Sequence, residues 1–576
     1  MGYSLGVNSR GKPGLRLSIG QERYELVADE ILKVFRWYHL AGTYDKKTKE
    51  IKLYIDGKEA VRKVTNGDDI WTANEDVKIG RGKDGEATDV VRPLSDVPFE
   101  YGFDGLVDEV RIYDKALSAA DISKSYITFY PGDQIRDNVD MQARKMPEVK
   151  SEGKFGAYHT KLFFYETWEN LYRDPEVADL VVTFDEPDRK FVFWRGAGYI
   201  PMMVTEKDIW FTNEFNEIWA TEALACMEPM SDSEHRHNEA RIIENTDARV
   251  VVHWRYSLID FAYVLGNIQE NGWGDWADWY YTIYPDGVAV VKMQLWTDLA
   301  KYRGSRKGHR EWMESIYIVP PGMRPEDIVG QKPHVSVANL EGKSRSYNWP
   351  EVKFDMEDIT IRMHYMKEGK YNPYMVADFS EIGTWDTGLT GYSTFQCFNH
   401  WPAARMKNDG RDMMDDTRIG HACVGSGDFE VYESDLDSDA PYVTKLKMEG
   451  LTKGAVEDLV PLANSWLNAP ELKTEKGCLS KGYDKAQRAY ALKAQEPVMS
   501  FSIEASENSP IVNPCFVVKN FKSKKAEATL KINGEEVKAG ADFRQSVVID
   551  TDGTPMLVIW LDYKTTEETN FELEMR

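Results

Sequence analysis

The segment at 249–258, RVVVHWRYSL, alternates apolar and polar side chains. Because successive side chains of a β-strand point to opposite faces, the alternation predicts a half-buried strand with His253 and Arg255 on one face. An imidazole can take up or release a proton near neutral pH, and a guanidinium can bind and neutralise a carboxylate. The two residues could therefore bind an acidic ligand and move one of its protons, and we expect both to face an open groove.

A predicted hairpin at 280–296, built around a Pro-Asp-Gly turn, continues this face with Lys292, Gln294 and Trp296. Trp276 lies in the tryptophan-rich segment GWGDWADW that connects the two runs. Aromatic rings stack on the C–H faces of sugars, while charged groups bind hydroxyls and carboxylates, so the face suits a carbohydrate. The solvated outer face of a β-sandwich would show the same alternation, and the pattern leaves that alternative open.

Two shorter motifs supply further candidates. In FWRGAGYIP, small residues between Arg195 and Tyr199 let the backbone bend and leave space beside both side chains; an outward arginine on a glycine-bearing bulge is the alternative. In SEHRHN, His235 and His237 would share one face of a strand, with Arg236 opposite. The histidine spacing could ligate a metal, but no third ligand is fixed, and no metal is predicted.

Two longer clusters lie further along the chain. KYRGSRKGHR at 301–310 is strongly basic and could border the same groove, although a charge run is also typical of a solvated loop. NHWPAARMKNDGR at 399–411 is dense in polar side chains. Both clusters are candidates for contact with an acidic polymer.

These residue types suit the cleavage of a uronic-acid polysaccharide by β-elimination. The weakly acidic proton at C5 can be removed only when the charge of the neighbouring carboxylate is neutralised, and a base must then accept that proton. The candidates for neutralisation are Arg195, Arg236 and Arg255. The candidates for moving the proton are His253 and His400, with Tyr199 nearby. The residues predicted to bind substrate are His237, Trp276, Lys292, Gln294, Trp296, Arg303, Arg306, Lys307, Asn399 and Arg411.

This reaction needs neither a metal nor a cofactor, and none is predicted. Glycoside hydrolysis would instead use two carboxylates at a fixed separation. With 95 Asp and Glu residues in the chain, the sequence leaves that alternative open.

Composition sets the broad class. The formal charge of −24 argues against nucleic acid or an anionic membrane as a partner, because both favour basic surfaces. No apolar run approaches the roughly 20 residues that span a bilayer, and the five cysteines lack the spacing of a zinc site or a disulfide framework. We expect an acidic, sulfated polysaccharide as the partner, no membrane insertion, and a monomer.

A chain of 576 residues is too long for a single hydrophobic core. Its apolar residues follow the alternation typical of strands more often than the spacing typical of helices. We predict a mainly β protein with a truncated N-terminal jelly roll, a large antiparallel β-sandwich and a small immunoglobulin-like β domain. The predicted boundaries are 1–127, a linker at 128–156, 157–470 and 471–576.

Two N-terminal passages, WYHLAGTYD and DGLVDEVRIYDKALS, resemble the laminin-G-like, concanavalin-A-like domains of secreted bacterial proteins. Such domains usually have more strands before the first passage than this chain provides. We therefore expect the chain to begin inside the domain, with any signal peptide removed, and we expect a secreted or cell-surface protein.

The central motifs WRGAGYIPMMVTEKDIWFTNEFNE, ARVVVHWRY, GWGDWADWYYTIYPDGV and NHWP resemble the β-sandwich region of bacterial proteins assigned as ulvan lyases, polysaccharide lyases of a family that carries a laminin-G-like domain. The resemblance implies elimination chemistry on a sulfated, uronic-acid-containing polymer. A glycoside hydrolase on a related polymer and a non-catalytic carbohydrate-binding surface protein remain the alternative hypotheses.

Overall fold

The computed structural model is mainly β, as predicted from the alternation. It describes residues 2–7, 12–30, 32, 36–67, 69–71, 76–80, 106–129, 146–162, 177–213, 215–218, 227–232, 235–260, 263–268, 270–297, 310–320, 323, 325–349, 354–377, 419–428, 442–521, 523 and 525–575.

The N-terminal part contains two three-stranded antiparallel sheets and one helix. The elements are β1 (Tyr3–Val7), β2 (Pro13–Ile19), β3 (Glu22–Val27), β4 (Leu40–Asp45), β5 (Glu50–Ile55), β6 (Lys58–Val64) and α1 (Ala119–Phe129). Asp56 and Gly57, residue types that favour a tight turn, connect β5 and β6 with φ of 53° and 74°. Ser118 caps α1, because its Oγ accepts a hydrogen bond of 3.2 Å from the backbone N–H of Asp121.

The central part is built from two large antiparallel sheets. The first runs β12-β17-β11-β10-β9-β8-β7, with β22 also paired to β17. Its strands are β7 (Gly156–Thr160), β8 (Asp179–Thr183), β9 (Lys190–Phe193), β10 (Pro201–Val204), β11 (Trp210–Asn213), β12 (Glu217–Ile218), β17 (Arg310–Val319) and β22 (Gly420–Asp428).

The second sheet runs β13-β14-β15-β16-β23-β21-β20-β18-β19. Its strands are β13 (Glu239–Asn245), β14 (Val250–Ser257), β15 (Trp276–Ile283), β16 (Val288–Trp296), β18 (Val335–Ala338), β19 (Ser344–Tyr347), β20 (Ile361–His364), β21 (Asn372–Ala377) and β23 (Tyr442–Thr452). The short helices are α2 (Pro325–Ile328) and α3 (Val460–Leu467), and 3₁₀ turns lie at Arg195–Ala197, Pro229–Ser231 and Val456–Leu459.

The core between these sheets explains the alternation of β14. Trp254 and Tyr256 are fully buried, and Trp254 packs against Trp279 of β15. Phe193 of the first sheet meets Tyr281 edge-on at 5.2 Å. Burying a side chain of this size contributes about 1.5–3 kcal/mol, so this apolar layer fixes which residues of β14 must face the other way.

The C-terminal part has two five-stranded sheets, ordered β24-β27-β35-β30-β31 and β25-β26-β29-β33-β32, and a separate two-stranded sheet of β28 and β34. The strands are β24 (Glu471–Lys476), β25 (Cys478–Asp484), β26 (Ala489–Ala494), β27 (Val498–Glu504), β28 (Ile511–Val512), β29 (Cys515–Lys519), β30 (Ala528–Ile532), β31 (Glu535–Val537), β32 (Phe543–Ile549), β33 (Pro555–Leu561), β34 (Lys564–Thr565) and β35 (Thr569–Met575). Asn533 and Gly534, a residue pair that favours a hairpin turn, connect β30 and β31.

The turn between β15 and β16 anchors the C-terminal part to the central sandwich. Asp286 accepts hydrogen bonds from Arg488 at 3.1 Å and Asn513 at 2.9 Å. None of the helices in the described part of the chain has the length and apolar composition needed to cross a membrane.

Candidate functional site

The side of β14, β15, β16 and β23 that faces away from the core carries polar and aromatic residues, which we call the outer face. Strand pairing aligns them in three rows: His253–Tyr280–Lys292–Leu446, Arg255–Asp278–Gln294–Thr444 and Ser257–Trp276–Trp296–Tyr442. The prediction that His253 and Arg255 share one face of a strand is confirmed.

Asp278 is the centre of the outer face. Its Oδ1 accepts hydrogen bonds from His253 Nε2 at 2.6 Å and Arg255 Nε at 2.7 Å, and its Oδ2 accepts from Arg255 Nη2 at 2.8 Å and Trp296 Nε1 at 2.9 Å. Burial alone would raise the pKa of Asp278, but the hydrogen bonds from His253 and Arg255 and the charge of Arg255 hold that pKa well below its usual range. Asp278 is therefore an anion that organises its neighbours, and it is poorly suited to donate a proton.

His253 is enclosed on the outer face. Arg241 Nε donates to its Nδ1 at 3.0 Å, so Nδ1 must be an acceptor and Nε2 carries the proton given to Asp278. The ring also stacks on Tyr280 at 4.6 Å and is 2% exposed. The expectation that His253 faces an open groove is wrong, because these three neighbours occupy both nitrogens and cover the ring.

Arg255 is the partly exposed member of the pair. Its side chain is 38% exposed, and its guanidinium lies 4.5 Å over the ring of Trp276 while it binds Asp278 through two nitrogens. The carboxylate offsets much of its charge, and the ring holds its plane in one orientation. Arg255 therefore presents to a ligand a guanidinium of fixed orientation, whose positive charge is partly offset by Asp278.

A row of four aromatic rings crosses the end of the outer face. Trp273, which is 59% exposed, lies 5.0 Å from Trp276; Trp276 lies 6.3 Å from Trp296, and Trp296 lies 4.6 Å from Tyr442. Since Arg255 lies over Trp276, Trp273 is the ring that a sugar can reach most freely. Sequence analysis missed Asp278, Trp273 and Tyr442, although Asp278 has the same strand parity as Trp276.

The other two predicted substrate-binding residues of this face are held by the sheet. Gln294 is largely buried, and its Nε2 donates to Thr444 Oγ1 at 3.4 Å. Lys292 is half-buried and lies directly across from Tyr280. Both lie beside the network around Asp278, as their parity predicts.

Arg195 and Tyr199 are interior residues, and the predicted space beside them is filled. Arg195 forms a buried ion pair with Asp179, and Tyr199 Oη donates to the carbonyl of Ala178 at 2.9 Å. Burial raises the pKa of Tyr199 well above its usual range, which disfavours the phenolate. A Cβ on Gly198, at φ +64°, would lie 2.4 Å from the carbonyl oxygen of Pro229, so the glycine permits a close approach of two turns.

The segment with His235, Arg236 and His237 is a turn and not the predicted strand, since His235 has a φ of +50°. Asp232 accepts hydrogen bonds from the backbone N–H groups of Arg236 at 2.9 Å and His237 at 2.6 Å. Arg236 and His237 are exposed, and Arg236 lies 4.4 Å over the ring of Tyr263. The carbonyl of His237 accepts from the N–H of Ser257 at 3.2 Å, which places this turn beside the last row of the outer face.

The remaining predicted site residues lie outside the described residues: Arg303, Arg306, Lys307, Asn399, His400 and Arg411. Within the described ranges, no group of three or more His, Cys, Asp or Glu side chains is arranged to hold a metal ion.

Comparison with known proteins assigns the N-terminal part. Residues 1–123 match the laminin-G-like family described as the concanavalin A-like lectin/glucanases superfamily, so this part of the chain carries such a domain. The match covers about a fifth of the sequence. No curated protein matches the chain.

Several solved structures share limited similarity. An S-layer domain-containing protein from Clostridium thermocellum is 21% identical over 22% of this chain, with a TM-score of 0.14, and the chain spans 55% of that structure. Galactose 1-epimerase from Lactobacillus acidophilus is 6% identical over 52% of this chain and all of its own, with a TM-score of 0.26. A heparinase III gene product is 9% identical over 67% of this chain and 43% of its own, with a TM-score of 0.20.

Proposed function

We propose that the protein binds an acidic polysaccharide along the outer face and cleaves it by β-elimination, with a sulfated, uronate-containing polymer of the ulvan type as substrate. The observation that carries this proposal is the exposed ring of Trp273 beside the Arg255–Trp276 stack, because it offers an apolar surface for a sugar and a cation for its carboxylate in one place. The N-terminal match to a superfamily named for lectins and glucanases also favours a carbohydrate ligand.

The state of Asp278 favours elimination over hydrolysis at this face. A glycosidase needs one carboxyl group that stays protonated until it donates to the leaving oxygen. Four hydrogen bonds hold Asp278 as the anion, Asp232 is buried and accepts from the backbone N–H groups of Arg236 and His237, and Glu239 is exposed on the edge strand β13 opposite Arg255. Elimination needs a neutralised substrate carboxylate, a base and a proton for the leaving oxygen, which water or the protonated base can supply, and these requirements suit a face with Arg and His.

His237 is the better candidate for the base among the described histidines of this region. It is exposed and lies beside the last row, whereas both nitrogens of His253 are already engaged. In this proposal, Arg255 and Arg236 bind and neutralise the uronate, and His237 accepts the C5 proton. The C4–O bond then breaks as the C4=C5 double bond forms, and water or the protonated His237 gives a proton to the leaving oxygen. His253 is a positioning residue that supports Asp278.

Binding without cleavage is the second candidate function. The engagement of both His253 nitrogens favours it, because it removes the proton-transfer group expected at the centre of the face. The outer face would then act as a carbohydrate-binding surface.

The test is to incubate the protein with an ulvan-type polymer and follow both the ultraviolet absorbance of the unsaturated uronate and the release of reducing ends. Absorbance rising together with reducing ends supports elimination, reducing ends alone indicate hydrolysis, and retention on a polymer column without either product indicates binding only. Trp273→Ala should weaken retention by about 5- to 100-fold, corresponding to about 1–3 kcal/mol for a lost stacking contact. Trp71→Ala is the matched control, since Trp71 is 50% exposed in the N-terminal part. If retention falls with Trp71→Ala and not with Trp273→Ala, the polymer binds to the N-terminal domain and not to the outer face.

A further inference from the structure

Arg362 and His364 lie two residues apart on β20 and share the face of the sheet that packs against the first sheet. Each is 3% exposed. Arg362 Nη2 donates to Ser315 Oγ on β17 at 2.8 Å, and Ser315 Oγ donates to Asn213 Oδ1 on β11 at 2.8 Å. A polar path therefore crosses the interior of the sandwich.

Arg362 differs from the other buried cations of the described ranges. Six other Arg and Lys side chains there are buried, and each has a carboxylate within ion-pair distance. The pairs are Arg16–Glu25, Lys190–Asp208, Arg195–Asp179, Arg249–Glu244, Lys447–Glu449 and Arg488–Asp286. Arg362 has no such ion pair with any described carboxylate, and its Nε lacks a hydrogen-bond partner. Burial lowers the pKa of Arg362 to about 10, and no acidic group among the described residues opposes that effect.

His364 adds a second polar side chain on the same face of β20. Neither ring nitrogen has a hydrogen-bond partner among the described residues, and the ring lies 5.7 Å from Phe211 and 5.5 Å from His334. Burial, together with the neighbouring Arg362 and His334, holds the pKa of His364 well below its usual range. The imidazole is therefore neutral at physiological pH, with one N–H available to donate.

A guanidinium buried without a counter-charge is among the most costly arrangements in a protein interior, because desolvation is not offset by an ion pair. Its planar fork matches a carboxylate or a sulfate, and His364 lies on the same face of β20 with an N–H that can donate to the same anion. We propose that Arg362 and His364 form an interior binding site for a small oxyanion, either a carboxylate such as that of a uronate or a sulfate group, with Ser315 holding the guanidinium of Arg362 in place. This site is separate from the outer face and does not depend on polysaccharide cleavage.

Direct binding is the appropriate measurement, because sulfate also stabilises proteins through exclusion from their surfaces. The full chain is dialysed to equilibrium against radiolabelled sulfate at constant ionic strength, with glucuronate and glucose as competitors. Long incubation is needed, since an anion reaches these buried groups only through local opening of the sandwich. Saturable binding of about one sulfate per chain is expected, with displacement by glucuronate and none by glucose. Unlabelled sulfate is the reference competitor, and whichever of sulfate and glucuronate displaces the label at the lower concentration is the preferred anion.

Arg362→Met keeps the length of the side chain and removes the charge, so sulfate binding should fall at least tenfold. Arg345→Met is the matched control on β19 of the same sheet, because Arg345 is 54% exposed and paired with Asp355; binding should be unchanged. Ser315→Ala is a smaller change that removes the hydrogen bond to Arg362, and it should weaken sulfate binding severalfold. This variant takes the place of Arg362→Met in the test if Arg362→Met does not fold. No saturable binding of either anion to the wild-type chain, or equal binding by Arg362→Met, would overturn the proposal.

Discussion

Replacing Asp278 with asparagine tests the central network of the outer face. The substitution keeps the size of the side chain but removes the charge that receives four hydrogen bonds from His253, Arg255 and Trp296. The amide oxygen can still accept from one or two donors, while its NH₂ group opposes the guanidinium. Hydrogen bonds to a charged group are worth about 1.5–3 kcal/mol each, but they are not additive, and the half-exposed Arg255 can turn to water. We expect Asp278→Asn to lower the free energy of unfolding by about 2–4 kcal/mol at neutral pH.

The pH dependence gives an independent check. The folded-state pKa of Asp278 lies below its unfolded value, so the stabilisation is complete above the unfolded pKa and is lost as pH falls through the folded one. The stability difference between wild type and Asp278→Asn should therefore be constant from neutral pH down to about pH 5 and shrink below about pH 4.

Urea denaturation of both proteins across this pH range measures the difference. Glu239→Gln is the matched control, because Glu239 lies opposite Arg255 on β13 but its side chain is 63% exposed; its effect should stay within about 0.5 kcal/mol. A loss below about 1 kcal/mol for Asp278→Asn, or a loss that does not shrink in acid, would refute the assignment of Asp278 as a buried structural anion.

Three further substitutions follow from the site geometry. His253→Ala should cost about 2–4 kcal/mol in urea denaturation, because it removes a ring with two hydrogen bonds and a stacking partner; stability within about 0.5 kcal/mol of wild type would contradict this. His237→Ala should lower kcat for elimination by about two to four orders of magnitude with little change in Tm, and near wild-type activity would exclude His237 as the base. Gly198→Ala should destabilise the fold by more than about 1 kcal/mol because the new Cβ would meet the carbonyl of Pro229, whereas Gly540→Ala, with open space around its Cβ, should be close to neutral.

Local patterns were sufficient to predict the β class and several of its details. The alternation of 249–258 predicts the buried Trp254 and Tyr256 as well as the common face of His253 and Arg255, because strand parity is a property of the backbone alone. Turn residues were equally informative, since Asp56-Gly57 and Asn533-Gly534 adopt the positive φ angles that their types favour.

Predictions that depended on distant partners were less successful. The sequence FWRGAGYIP does not show that Arg195 is neutralised by Asp179 on another strand, nor that Pro229 occupies the space beside Gly198. The spacing of His235 and His237 suggested a strand, but Asp232 fixes the backbone as a turn through two N–H groups. Each of these outcomes is set by contacts formed only in the folded chain.

The two His/Arg pairs of the nine-stranded sheet show why a residue pattern does not settle a role. HWR on β14 and RMH on β20 both place an imidazole and a guanidinium two residues apart on one face. On β14, Asp278 lies directly across from Arg255 and accepts hydrogen bonds from both Arg255 and His253. On β20, Met375 occupies the position across from Arg362, so the strand pairing supplies an apolar neighbour and no charge. The strand register thus places a carboxylate beside the pair on β14 and none beside the pair on β20. A guanidinium whose strand neighbours supply no carboxylate is the better place for an oxyanion to bind.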